Sequence, residues 1–346
     1  IDYGQNMAGY ISFRIKAHAG QKIVLTHGET LDENGNFTQE NFQDRKRHKE
    51  GGTRQQVVYT CREGFNEYKA KFTIWGFRYA KVETDIDLQD AEFTAIAVYS
   101  KMQELGTFTC SKADVNQLVH NSIWSQKSNF CDVPTDCPTR ERAAWTGDMG
   151  VFAAAGLYLE DCYPVIRKWL AECRLTQHED GKLSNISPKN NNPSFFAGLL
   201  AGSVGWGDAC IIVPYVLYQR YGDVRILEEN YAMMQKWYAF LEGRAKNNPE
   251  DAAELMKRNP YRDHTIETGV DYGEWCEPDV DGTSAMRTPQ QKVATAYFAR
   301  SGQMLAEIAQ ILGKPEDAEH YRTMAENAGK AFRYIAVQDG RIHSDR

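Results

Sequence analysis

The first third of the chain alternates apolar and polar side chains with the period of two that half-buried β-strands require. The clearest case is residues 10–16 (YISFRIK). Further strands are predicted at residues 22–27, 55–61, 68–75, 78–83 and 92–100, separated by turn-forming clusters such as DENGN at 32–36. Short strands at this spacing predict a β-sandwich or jelly-roll domain over residues 1–105.

Beyond Gly106 the apolar residues recur at helical spacing instead. Amphipathic helices are predicted at residues 113–130, 148–159, 163–175, 209–221, 224–241, 288–312 and 315–335. Because these helices follow one another without intervening strands, they predict an all-α array rather than a parallel α/β sheet.

An all-α array with acidic and aromatic residues in its loops favours an α/α toroid over residues 106–346. A complete six-hairpin barrel has about twelve helices, which at roughly a dozen residues each plus loops need more chain than follows residue 106. We therefore predict a multidomain β + α protein, in which a jelly-roll-like β-sandwich segment precedes an incomplete (α/α)6 barrel. The chain is expected to be part of a longer polypeptide.

Composition narrows the classes of partner. The net charge of -7 and a pI near 5.7 argue against nucleic acid, and the short basic run at residues 45–49 is interpreted as a solvated loop. No stretch is apolar and long enough to predict a membrane span. The His and Cys residues lack metal-ligand spacing, so no metal site is predicted. No other cofactor is expected. Both a periplasmic and a cytoplasmic location remain open.

The most informative stretch is residues 132–148 (DVPTDCPTRERAAWTGD), which places acids, arginines and an indole on one loop. Its two prolines keep the first part of the loop out of a helix. Cleavage of a glycoside needs one carboxylic acid to protonate the leaving oxygen, and carboxylates to support positive charge at the anomeric carbon. Asp136, Glu141 and Asp148 are the candidates. The alternative is structural, with caps at Asp136 and Asp148 and an arginine partner for Glu141.

Two further loops repeat this chemistry at residues 205–209 (GWGDA) and 271–275 (DYGEW). In a sugar site the indoles would stack on the sugar and the carboxylates would accept hydrogen bonds from neighbouring hydroxyls. In the alternative interpretation each loop is a helix N-cap with an indole packed in the core. Three loops of one chemistry favour the sugar site.

At these positions the chain resembles the α-L-rhamnosidases of glycoside hydrolase family 78. The resemblance covers nearly the whole chain. Besides residues 136–148 it rests on residues 2–6 (DYGQN), 27–32 (HGETLD), 76–79 (GFRY), 205–208 (GWGD), 213–215 (VPY) and 221–223 (YGD).

The resemblance implies a bacterial enzyme that hydrolyses terminal α-L-rhamnose with inversion and without a metal. By matching positions it implies that Glu141 is the general acid, and that Asp136 and Asp148 bind rhamnose hydroxyls and stabilise the transition state. It further implies substrate-binding roles for Arg140, Trp145, Trp206 and Trp275. The sugar-site interpretation of the GWGDA loop adds Asp208 as a substrate-binding residue. The expected partner is a rhamnose-containing oligosaccharide or glycoside, and a homodimer is the assembly considered.

The sequence departs from the family pattern in two respects. Thr139 and Ala143-Ala144 stand where Gln and Leu-Gly are common. The family's general base is a Glu from a later part of the barrel, which we expect beyond Arg346, so activity is expected of the longer protein. The alternatives are an exo-glycosidase for another sugar and a catalytically silent carbohydrate-binding protein.

Overall fold

The computed structural model describes residues 1–41, 55–189, 201–273, 275 and 290–343. The chain divides into two compact units. The first comprises Ile1–Ala143 with Leu159–Asp161, and the second comprises Ala144–Tyr158 with Cys162–Arg346. The first unit therefore extends beyond residue 106, where the hydrophobic period changes. The domain boundary inferred from that change remains a prediction.

The described residues of the first unit form antiparallel strands and a helix. Its main sheet has the strand order β5-β2-β7-β1-β6, with β8 paired to β1. The elements are Asp2–Ala17 (β1), Lys22–Gly28 (β2), Thr30–Leu31 (β3), Phe37–Thr38 (β4), Gln56–Thr60 (β5), Gly64–Tyr68 (β6), Trp75–Thr84 (β7), Glu92–Ala97 (β8), Gln103–Glu104 (β9), Ala113–Asn129 (α1), Phe130–Cys131 (β10), Val133–Pro134 (β11) and Glu160–Asp161 (β12).

Strand β1 organises the core of this unit and confirms the predicted alternation. Ile11, Phe13 and Ile15 are buried, whereas the intervening Arg14 is exposed. The buried side chains join apolar residues of β2 and β7 in one cluster, against which Trp124 of α1 packs. Each fully buried Ile or Phe contributes about 1.5–3 kcal/mol to folding. Helix α1 belongs to the first unit because it packs on this sheet.

The strand predicted at residues 68–75 is wrong. Strand β6 ends at Tyr68 and β7 begins at Trp75, so the residues between them form a connection. Phe72 lies in this connection with a φ of 59° and a fully exposed side chain. A positive φ turns the chain out of the extended conformation, although the apolar pattern continues.

His27 of β2 lies in the interior of the first unit. Its Nδ1 donates to the backbone oxygen of Gln55 at 2.9 Å. The imidazole lies 4.3 Å from the ring of Trp75 and meets Phe77 edge-on at 5.0 Å, measured between centroids. Burial lowers the pKa of His27 to about 4, against the opposing effect of the Gln55 hydrogen bond. The ring is therefore neutral near pH 7.

We expect the stability contributed by neutral His27 to be lost as the pH falls from about 6.5 to about 4. In that interval the unfolded chain binds a proton at His27 while the folded chain does not, so protons favour unfolding. The pKa difference corresponds to about 3 kcal/mol. Urea unfolding across this range should show a smaller decrease for His27→Phe than for the wild type. Equal decreases would contradict the prediction.

The second unit is predominantly helical. Its elements are Thr146–Leu159 (α2), Tyr163–Thr176 (α3), Ala209–Tyr221 (α4), Arg225–Lys246 (α5), Glu254–Lys257 (α6), Gln291–Ile311 (α7) and Pro315–Ala336 (α8), with a 3-10 turn at Arg262–His264 and a hairpin of Val337–Gln338 (β13) and Arg341–Ile342 (β14). The predicted helices are confirmed within a few residues at their ends. The predicted start at residue 288 lies outside the described residues.

The long helices of this unit pack through large apolar side chains. Trp169, Trp237 and Phe298, from α3, α5 and α7, are fully buried. Helices α7 and α8 form a hairpin in which Pro315 occupies the first turn of α8, where its missing N–H costs no hydrogen bond. In the part of the chain that the structure describes, no helix is both long and apolar enough to cross a membrane.

Candidate active site

The acidic loop, residues 136–143, belongs to the first unit. Its ends are joined by two hydrogen bonds. Asp136 N donates to Ala143 O at 3.0 Å, and Ala143 N donates to Asp136 Oδ1 at 2.9 Å. One carboxylate oxygen of Asp136 therefore accepts a bond from the loop's own backbone, which fixes the orientation of the half-buried carboxylate.

Strand β7 supports the acidic loop at Gly76. A Cβ added there would lie 2.5 Å from Thr139 Cγ2 and 2.9 Å from Pro138 Cγ, so a glycine permits this close approach. Arg142 has a φ of 51° and donates from Nη1 to Ile74 O at 2.9 Å. The loop is thus held against the sheet by contacts along the segment that carries the GFRY motif.

Arg140 and Glu141 are exposed on this loop. Glu141 N donates to Cys137 Sγ at 3.4 Å, which helps to fix the backbone that carries the carboxyl group. A general acid must reach the oxygen that it protonates. An exposed carboxyl group on a loop whose backbone is fixed meets that requirement.

Trp145 and Asp148 lie at the start of α2 in the second unit. Residues 144–146 pair with residues 185–187 through antiparallel backbone hydrogen bonds, which positions the half-buried Trp145. Asp148 is exposed in the first turn of α2, where the helix dipole stabilises a carboxylate. The helix begins at Thr146, two residues before Asp148, so the predicted helix cap at Asp148 is wrong. Asp148 is nevertheless exposed to solvent.

Three of the predicted site residues meet around Tyr272, which sequence reasoning did not single out. The Tyr272 ring lies 6.0 Å from Trp145, 4.7 Å from Trp206 and 5.4 Å from Trp275, between ring centroids. These four residues form the aromatic cluster. The signal for Tyr272 was its place within the DYGEW loop. Glu274 of that loop lies outside the described residues.

Asp208 lies in the interior instead of facing solvent. Its Oδ2 accepts from Gly205 N at 2.7 Å, and its Oδ1 accepts from Trp237 Nε1 at 3.2 Å and from Ser301 Oγ. Burial raises the pKa of Asp208, and these hydrogen bonds partly oppose the shift. This placement does not favour the sugar-binding role implied for Asp208. It favours a structural role in holding the loop of Trp206.

Two glycines let indoles lie directly against the backbone of the second unit. A Cβ at Gly147 would lie 2.6 Å from Trp206 Cε2, and one at Gly207 would lie 2.3 Å from Trp237 Cη2. Trp206 remains half-buried. Gly147 therefore permits close packing of an indole of the aromatic cluster, and Gly207 permits close packing of the buried Trp237.

Asp271 is a second buried carboxylate. Its Oδ2 accepts from Arg244 Nη2 at 2.8 Å and its Oδ1 accepts from Nη1 at 3.1 Å, with side-chain exposures of 6% for Asp271 and 8% for Arg244. Val204 N also donates to Oδ1 at 2.7 Å. This ion pair connects the start of the DYGEW loop to the residues that precede Trp206. Among the described residues, no group of His, Cys, Asp and Glu could hold a metal ion.

Comparison with family models identifies both parts of the chain. Residues 103–346 match the bacterial alpha-L-rhamnosidase 6 hairpin glycosidase domain, and residues 1–99 match the bacterial alpha-L-rhamnosidase concanavalin-like domain. The chain belongs to the bacterial α-L-rhamnosidase family. The predicted resemblance and fold class are confirmed, with a concanavalin-like sheet domain followed by a six-hairpin glycosidase domain.

Individual α-L-rhamnosidases agree with this family assignment. A curated relative from Formosa agariphila is 31% identical over 99% of this chain and 34% of its own length. One from Alteromonas sp. (strain LOR) is 32% identical over 96% of this chain and 34% of its own length. The crystal structure of Streptomyces avermitilis α-L-rhamnosidase complexed with L-rhamnose matches with a TM-score of 0.79 and 30% identity, over 98% of this chain and 29% of that one. The chain therefore spans about a third of the curated relatives.

Proposed function

We propose that the protein containing this chain is an inverting glycoside hydrolase that releases terminal, non-reducing α-L-rhamnose from oligosaccharides or glycosides. The observation that carries the proposal is the match of both parts of the chain to α-L-rhamnosidase domain models. The exposure of Glu141 and Asp148 supports it, because both carboxyl groups are accessible to a ligand.

In this mechanism Glu141 protonates the glycosidic oxygen as the bond to the leaving group breaks. Asp136 and Asp148 accept hydrogen bonds from rhamnose hydroxyls and stabilise the positive charge that develops at the anomeric carbon. Arg140 orients the acid. The two hydrogen bonds between Asp136 and Ala143 support these roles because they hold the acidic loop in one conformation.

The indoles of Trp145, Trp206 and Trp275 form the wall of the sugar site in this proposal. Indole faces are apolar and suit the C–H faces and the C6 methyl group of rhamnose. All three side chains are at least partly exposed, so they can contact a ligand while their inner edges pack in the aromatic cluster.

Inversion also requires a general base that activates water on the opposite face of the sugar, about 6.5–9.5 Å from the acid. We assign this role to a glutamate that follows residue 346 in the longer protein. The assignment rests on the family resemblance.

The test is hydrolysis of p-nitrophenyl α-L-rhamnopyranoside by the full-length protein, followed by proton NMR. Inversion predicts that the β-anomer of L-rhamnose appears first and mutarotates afterwards. First release of the α-anomer would contradict inversion. Cleavage of the matching α-L-fucoside but not the rhamnoside would favour an exo-glycosidase for another sugar. Binding of L-rhamnose without hydrolysis of either substrate would favour a silent carbohydrate-binding protein.

A further inference from the structure

We propose that Tyr272 is a positioning residue for the sugar-binding wall, because its ring holds Trp145, Trp206 and Trp275 in the orientation in which they contact the sugar. The inference rests on the proposed function, which makes these three indoles the wall of the site. Tyr272 itself does not contact the sugar in this proposal.

The ring geometry carries the proposal. The angle between the Tyr272 ring and each indole is 79° for Trp145, 70° for Trp206 and 73° for Trp275. Each contact is thus of the edge-to-face type that aromatic quadrupoles favour. The three indoles come from separate loops, so a single ring orients side chains that the sequence does not place together.

Tyr272 is itself held by the protein. Its hydroxyl accepts from Asn185 Nδ2 at 3.2 Å, and its backbone N donates to Ser203 Oγ at 3.2 Å. Ser203 N in turn donates to Asn185 Oδ1 at 3.2 Å. Both ends of the residue are therefore anchored in the interior, and the hydroxyl has a protein partner.

The Tyr272 ring and the three indoles differ in how much of each side chain is exposed. The side chain of Tyr272 is 5% exposed, whereas Trp275 is 46% exposed, and Trp145 and Trp206 are intermediate. The tyrosine thus lies behind the indoles, and its effect on a ligand passes through them.

The experiment compares Tyr272→Leu, which removes the ring, with Tyr272→Phe, which removes only the hydroxyl. The control is Tyr321→Leu, since Tyr321 is 6% exposed and makes a T-shaped contact with Tyr238 at 5.3 Å. The control therefore removes a buried aromatic ring of similar exposure, in a contact that involves none of the three indoles. All variants are made in the full-length protein and assayed with p-nitrophenyl α-L-rhamnopyranoside.

We expect Tyr272→Leu to raise KM about tenfold or more with kcat changed less than about threefold, because a misplaced wall weakens binding of substrate and transition state alike. Tyr272→Phe and Tyr321→Leu should keep KM within about twofold of the wild type. An equal rise in KM for the Phe and Leu variants would overturn the proposal, because the hydroxyl would then be the important group. An unchanged KM in folded Tyr272→Leu would also overturn it.

Near-ultraviolet circular dichroism of the unliganded protein gives a readout that needs no activity. Tyr272→Leu should alter the tryptophan bands, whereas Tyr272→Phe and Tyr321→Leu should retain them. If folded Tyr272→Leu keeps the tryptophan bands of the wild type, and the wild-type protein hydrolyses the substrate, the role of Tyr272 is overturned but the proposed function is not. The proposed function would be overturned if the wild-type protein neither hydrolysed the substrate nor bound rhamnose, although Tyr272→Leu altered the tryptophan bands. If the leucine variant does not fold, Tyr272→Met, a replacement of similar volume that is longer and more flexible, is judged by the same criteria.

Discussion

Replacing Glu141 with glutamine should lower kcat on a rhamnosyl disaccharide by about 10²- to 10⁴-fold, the range that general acid catalysis contributes. Glutamine preserves the size of the side chain but has no acidic proton to transfer to the leaving oxygen. The loss should be much smaller on p-nitrophenyl α-L-rhamnopyranoside, because p-nitrophenolate leaves without protonation.

The contrast between the two substrates separates acid catalysis from a loss of folding or binding. Glu33→Gln is a suitable control, because Glu33 is also exposed in the first unit but lies in a turn outside the acidic loop. The control should keep wild-type kcat on both substrates. A Glu141→Gln variant that loses equal activity on both, or none on either, would contradict the role of Glu141 as general acid.

Replacing Arg244 with methionine should lower the free energy of unfolding by about 3–5 kcal/mol, the cost of leaving one partner of a buried ion pair uncompensated. Arg244 donates to both oxygens of Asp271 and also to the backbone oxygens of Gly202 and Thr268. Without Arg244, the Asp271 carboxylate would keep the hydrogen bond from Val204 N but lose the charge that balances it.

Urea unfolding of the full-length protein measures this loss. The double variant Arg244→Met/Asp271→Leu should recover much of it, because the buried charge is removed together with its partner. The control is Arg225→Met, which removes a surface ion pair with Asp223 in which Arg225 is 76% exposed and should cost less than about 1 kcal/mol. A double variant no more stable than Arg244→Met would contradict the explanation.

The elements that could be predicted from the sequence are those whose hydrophobic pattern is regular over many residues. The β1 alternation and the long helices α5 and α8 are examples, since in each the buried face follows directly from the spacing. The connection at Phe72 could not be predicted, because a positive φ leaves no mark on the hydrophobic pattern. Nor does helical periodicity reveal that α1 packs on a sheet, which depends on contacts distant in sequence.

The candidate site, too, could be predicted from the sequence only in part. Asp148 and Asp208 both follow a Trp and a Gly in similar loops, yet one is exposed and the other is buried. What distinguishes them is the set of tertiary neighbours, such as Ser301, which lies far from Asp208 in sequence. Residue types and spacing could therefore indicate the chemistry of these loops but not which carboxylates face a ligand. The roles of Glu141 and Asp136 remain proposals.

The contact between Gly76 and the acidic loop affects how domains can be exchanged between members of the family. The acidic loop lies within the stretch matched by the glycosidase domain model, whereas Gly76 lies within the stretch matched by the concanavalin-like model. A chimaera joined near residue 100 would place the loop on a foreign sheet, and any side chain at the position of Gly76 would collide with Thr139. Module exchange between relatives should therefore keep a glycine at that position of the recipient sheet.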